Sequence, residues 1–126
     1  MPDSVVTVME DTNTALDINN PDSDFTIDIN GHKTDDIDVK NGKITIIDSK
    51  TGGDVKGHLD IKKDSTVTIG NVKISGTIHT MGQLILNGGD INKIILADET
   101  IKLYFNNSDI KINDGIYLYG IYGEKI

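Results

Sequence analysis

The chain has 126 residues, and twenty acidic side chains against twelve lysines give a net charge of −8. That balance argues against nucleic acid or an anionic membrane surface as partner, because neutralising phosphate needs cations. The lack of cysteine excludes a disulfide framework and thiolate chemistry, and no apolar stretch approaches the roughly 20 residues of a membrane span.

One domain is expected over 1–126, with 1–24 as an N-terminal cap or first coil. Met1-Pro2-Asp3-Ser4 has no basic stretch leading into an apolar run, so no secretory signal is read there. Apolar and polar residues then alternate along nearly every segment. Phe25, Ile27 and Ile29 alternate with Thr26 and Asp28, and Ile44 and Ile46 flank Thr45. Further on, Ile101, Leu103 and Phe105 flank Lys102 and Tyr104, and Ile116 and Leu118 flank Tyr117. This period of two, rich in Ile, Val and Thr, predicts strands with one buried face and essentially no helix. Asn30-Gly31, Asn41-Gly42, Gly52-Gly53, Asn87-Gly88-Gly89 and Asp114-Gly115 punctuate the runs as turns, with one more turn expected near Ala97-Asp98-Glu99. From 97 to 126 the phrasing changes, and a divergent C-terminal coil or cap is expected there.

A short phrase recurs. Val67-Thr68-Ile69-Gly70-Asn71-Val72-Lys73-Ile74 returns as Leu84-Ile85-Leu86-Asn87-Gly88-Gly89-Asp90-Ile91 and as Leu103-Tyr104-Phe105-Asn106-Asn107-Ser108-Asp109-Ile110. The last two align without a gap, Leu84 on Leu103 and Asp90 on Asp109. A period of about 20 residues with strand alternation is the mark of a solenoid. The predicted fold is therefore all-β, a right-handed parallel β-helix of about five short coils. An antiparallel β-sandwich is the alternative, because Asp38-Val39-Lys40-Asn41-Gly42-Lys43-Ile44 reads as a hairpin.

Three further phrases carry a family likeness: Ile27-Asp28-Ile29-Asn30-Gly31-His32, then Ile44-Thr45-Ile46-Ile47-Asp48-Ser49, then Thr51-Gly52-Gly53. Residues 5 to 91 resemble the right-handed β-helix repeats of surface proteins and phage tail or fibre proteins from low-GC Gram-positive bacteria. The resemblance implies a scaffold, mostly non-enzymatic, adhesive or structural, and in fibres often a homotrimer. It also implies a virion or an extracellular surface as location, reached within a larger assembly, with the cytoplasm as the alternative.

Candidate chemistry is sparse. His32, His58 and His79 lie 26 and 21 residues apart, near a solenoid period, and would bind metal only if they stacked. Asp35, Asp36 and Asp38, or Asp22 and Asp24, could form a carboxylate pair or a calcium site, yet read better as solvated acidic turns. No catalytic residues, cofactor or metal are assigned. The tyrosines stand out: Tyr104, Tyr117, Tyr119 and Tyr122 all fall in the last 23 residues, with Phe105 beside them. If Ile101, Leu103 and Phe105 point inward, Tyr104 points outward, and Tyr117 and Tyr119 do so one coil later, near Tyr104. Such an aromatic ladder suits a cell-surface glycan or a neighbouring structural subunit. The expected function is a non-enzymatic module of a phage tail, baseplate or bacterial surface assembly. Two alternatives stay open: an acidic intracellular inhibitor that mimics nucleic acid, and a small polysaccharide-degrading enzyme.

Overall fold

A computed structural model of the chain describes residues 4–118 and the backbone of residues 124–125. Its strands, in chain order, are β1 (Val5–Thr7), β2 (Leu16–Ile18), β3 (Asp24–Asp28), β4 (Lys33–Thr34), β5 (Ile37–Val39), β6 (Gly42–Ile47), β7 (Asp54–Val55) and β8 (Leu59–Ile61). They continue with β9 (Ser65–Ile69), β10 (Lys73–Thr80), β11 (Gln83–Leu86), β12 (Asp90–Leu96), β13 (Leu103–Phe105), β14 (Lys111–Leu118) and β15 (Glu124–Lys125). No helix occurs among the described residues.

Strands β1 to β14 stack in parallel as a β-solenoid of about six turns, one more than the repeat suggests, and β15 pairs antiparallel with β14. Three faces result. The first stacks β1, β3, β6, β9, β11 and β13 in that order. The second stacks β4, β7 and the leading residues of β10, β12 and β14. The third stacks β2, β5, β8 and the later residues of the same three long strands. Those long strands pass from the second face to the third through register breaks, between Ile74 and Thr77 in β10 and between Ile91 and Lys93 in β12.

The repeat sets the register of the first face. Val67, Leu84 and Leu103 are Cα partners, as are Ile69, Leu86 and Phe105. Beyond that face the gapless alignment fails, because Asp90 pairs with Lys111 and not with Asp109. The last coil carries two extra turn residues, so its second face is displaced in sequence while its first is not.

The antiparallel sandwich is excluded by these pairings, and the Asn41-Gly42 hairpin with it. The chain leaves β5 on the third face, turns a corner and enters β6 on the first, continuing the coil. Gly42 makes that corner at φ 99°, and a Cβ there would stand 2.7 Å from the Ser23 carbonyl oxygen. A left-handed backbone and close approach to the coil below both call for glycine, which also makes an Asn-Gly pair look like a hairpin.

Side chains inside the coil form columns. One runs Val6, Ile27, Ile46, Ile69, Leu86 and Phe105. Its four middle members are buried, whereas Val6 is 51% and Phe105 51% exposed. Phe105 occupies the expected inward register, but no further first-face strand stands above it among the described residues, so the ring remains open. A second column, Thr34, Val55, Ile74, Ile91 and Ile112, backs the second face.

The family-like phrases do structural work in the corners. Asp28 accepts the backbone N–H of Asn30 and that of Ser49 one coil on, each at 2.9 Å. Asp48 accepts the N–H groups of Gly31, Lys50 and Gly53. Burial pushes the Asp28 carboxyl up, but the Ser49 hydroxyl and the two N–H donors outweigh it and hold the group below its ordinary value. These carboxylates satisfy turn donors that would otherwise be left unpaired near the core.

Candidate functional site

Stacking in register turns each outward position into a ladder of side chains, one rung per coil, about 4.8 Å apart. The chemistry of the surface is therefore the chemistry of its ladders.

On the second face the ladder reads Lys33, Asp54, Lys73, Asp90, Lys111, alternating in sign at every step. Asp54 accepts the Ser75 N–H at 2.9 Å and its hydroxyl at 2.6 Å, and Asp90 accepts from the Asn113 amide at 2.8 Å. Among the described residues no Lys–Asp neighbour in this ladder closes to a contact ion pair. The rungs act as an alternating field, which favours the native register and penalises a slip by one coil. An open groove of about 610 Å³ runs beside it, lined in part by Lys50, Gly53, Asp54, Lys73 and Asp109.

On the third face the ladder reads Asp17, Asp38, Asp60, His79, Ile95, Tyr117. Three successive carboxylates share one edge-on stack. Asp17 is relieved by Lys40, whose Nζ lies 3.0 Å away. The Asp38 carboxyl is pushed above the usual carboxylate value, by burial first and then by Asp60 and Asp17.

On the first face the outward ladder reads Val5, Thr26, Thr45, Thr68, Ile85, Tyr104. Tyr104 is 40% exposed and stands beside the open ring of Phe105.

Tyr104 and Tyr117 consequently lie on different faces, because the chain turns two corners between β13 and the end of β14. They do not form the single aromatic ladder that alternation suggests. Tyr117 is half-buried, and its hydroxyl donates to Asp114 at 2.6 Å. The Lys93 Nζ sits 4.6 Å from the ring centroid, in reach of a cation–π contact. The hydrogen bond to Asp114 is the main reason that the phenol is held above its ordinary pKa. Tyr119 and Tyr122 lie outside the described residues.

The histidines do not stack. His32 precedes β4, His58 precedes β8 and His79 sits within β10 opposite Asp60. The His32 ring Nδ1 meets Asp11 at 3.2 Å, and the His58 backbone N–H donates to Asp36 at 2.8 Å. Asp36 is thus a corner acceptor like Asp28. Among the described residues no three His, Asp or Glu side chains converge as a metal site requires.

Charge distribution is the feature that a whole-chain count hides. Residues 1–32 hold seven acids and no lysine, residues 33–90 hold eight of each, and residues 91–126 hold five acids and four lysines. Net charges of −7, 0 and −1 account for the entire −8. The body of the rod is neutral and its N-terminal end is acidic. Counted by coil, residues 1–23 carry −5, residues 24–41 carry −3 and residues 42–126 sum to zero.

Comparison with protein-family models, curated proteins and solved structures gives no match.

Proposed function

We propose that this chain is a non-enzymatic structural or adhesive module of a phage tail, baseplate or bacterial surface assembly, presenting a rigid face to glycan or to a neighbouring subunit. The observation that carries this reading is the aromatic pair Tyr104 and Phe105, exposed at the C-terminal end of the first face on a solenoid whose inner columns are sealed through their middle coils. Aromatic rings on a rigid support lose little conformational entropy on contact and suit both sugar stacking and protein anchoring. The family-like phrases around Asp28 and Asp48 support the phage or cell-surface setting. Tyr117 contributes from the third face, and Tyr119 and Tyr122 complete the proposed contact residues.

The test is retention of the protein on purified Gram-positive cell walls, with Tyr104→Ala and Phe105→Ala as variants and light scattering for oligomeric state. Retention lost in the variants, or a trimer dissociated by them, supports the reading. Unaltered retention and mass remove the aromatic pair from consideration. A second reading, the acidic mimic of nucleic acid, draws on the Asp17, Asp38 and Asp60 stack. It requires tight, salt-sensitive binding to a nucleic-acid enzyme. A polysaccharide-degrading enzyme instead requires new reducing ends released from the same cell walls.

A further inference from the structure

We propose that the N-terminal end of the rod docks an extended, lysine- or arginine-bearing segment of a partner protein, which adds as a strand to the open edge of β1. This surface lies at the opposite end from the aromatic pair and does not depend on what that pair contacts.

Three observations converge on it. The first is an edge: among the described residues β1 pairs only with β3, and β2 only with β5. Each leaves a row of backbone donors and acceptors that an incoming strand can satisfy. The second is apolar surface at the same place. Val5 is 55%, Val6 51% and Met9 77% exposed, and Val6 is the bottom rung of the main inner column. An added strand with an apolar residue opposite Val6 would extend that column by one rung. The third is charge. Residues 1–32 hold seven acids and no lysine, although Asp24 stands in register with Lys43 one coil on. Asp11 is answered by His32 and Asp17 by Lys40, while Glu10 and Asp22 are exposed.

Charge also decides between occupants. Exposed Glu10 and Asp22 would face their own copies in a head-to-head pair and repel, which disfavours a second copy at this end. Head-to-tail stacking meets a different obstacle. At the C-terminal end β15 lies antiparallel on β14, with Tyr117 opposite Lys125, and takes the position that a second copy's β2 would need. A cationic segment is the remaining complement, and electrostatic steering would make its capture fast and salt-sensitive.

The experiment uses the full chain and a fluorescent peptide, acetyl-Lys-Val-Lys-Val-Lys-Val-Lys-amide, followed by anisotropy at low and at roughly tenfold higher salt. The expected result is binding that weakens with salt and shifts the backbone amide signals of Val5, Val6 and Thr7. Glu10→Lys combined with Asp22→Lys should weaken it roughly tenfold or more, and Lys102→Glu at the far end should not. Both acids are exposed, so circular dichroism should show the variants folded. Equal binding of a Lys-Gly alternating peptide would reduce the effect to unspecific charge attraction and overturn the proposal. So would absence of binding at low salt, or low-salt dimers in sedimentation that bury β1 against a second copy.

Discussion

Reversing one rung of the alternating ladder, Lys73→Asp, should destabilise the rod by an amount that the geometry sets. Lys73 stands between Asp54 and Asp90, with Lys33 and Lys111 one rung further out. Side chains on adjacent rungs put opposite charges about 6 Å apart, worth about 0.7 kcal/mol in water and roughly half that at about 0.1 M salt. Reversal turns two such attractions into repulsions, while two weaker second-rung repulsions become attractions. The net cost is about 1 kcal/mol, or a fall in Tm of about 4 °C for a chain of this size. Lys73→Asn should cost about half as much, which separates charge from loss of the lysine stem. Urea denaturation followed by far-UV circular dichroism, at low salt and at about 1 M, reads both values. The Asp-minus-Asn difference should vanish at high salt. A difference that survives high salt, or is absent at low salt, refutes the ladder as an electrostatic device.

Further outcomes follow from the inner columns and from the carboxylates. Ile69→Ala, at the sealed middle of the main column, should cost about 4 kcal/mol, whereas Phe105→Ala at its open end should cost about 1 kcal/mol or less; equal costs in urea unfolding would mean that the column is not continuous. Thr34 is fully buried with its Oγ1 unpartnered among the described residues, in a column otherwise made of Val and Ile. Thr34→Val keeps the shape and should stabilise by about 1 kcal/mol; a loss would show that the hydroxyl has a partner. The Asp38 carboxyl is raised in the folded state, so the fold binds its proton more tightly than the unfolded chain does. Its contribution to stability therefore falls as pH rises through the interval from the unfolded to the folded pKa, and remains a penalty above it. Asp38→Asn should stabilise by about 0.5 kcal/mol at neutral pH, with the gain shrinking as pH drops through that interval; a gain independent of pH would point to packing instead. Asp28 runs the other way, contributing stability that is lost as pH falls through its depressed value.

Much of the fold is legible in the sequence because first-face strands keep strict alternation. Leu84 over Leu103 and Leu86 over Phe105 can be placed from residue types and spacing alone. The ladders of the second face are not legible that way. Lys33, Asp54, Lys73, Asp90 and Lys111 are separated by 21, 19, 17 and 21 residues, since the corners between faces vary in length while the strands do not. A fixed period cannot find a ladder whose rungs are spaced by loops. The same variation broke the Asp90 and Asp109 alignment. The relative placement of Tyr104 and Tyr117 is not legible for a related reason: alternation tells in from out, but not which of three outward faces a residue lies on. Asn41-Gly42 misleads because a coil corner and a hairpin need the same backbone, and only the register of β6 on β3 decides between them.

The most direct measurement of the central claim is incubation of the protein with purified Gram-positive cell walls, with bound protein and newly formed reducing ends assayed together. A contact module is retained, loses retention on Tyr104→Ala with Phe105→Ala, and releases no reducing ends. Release of reducing ends, or retention indifferent to loss of both rings, contradicts it.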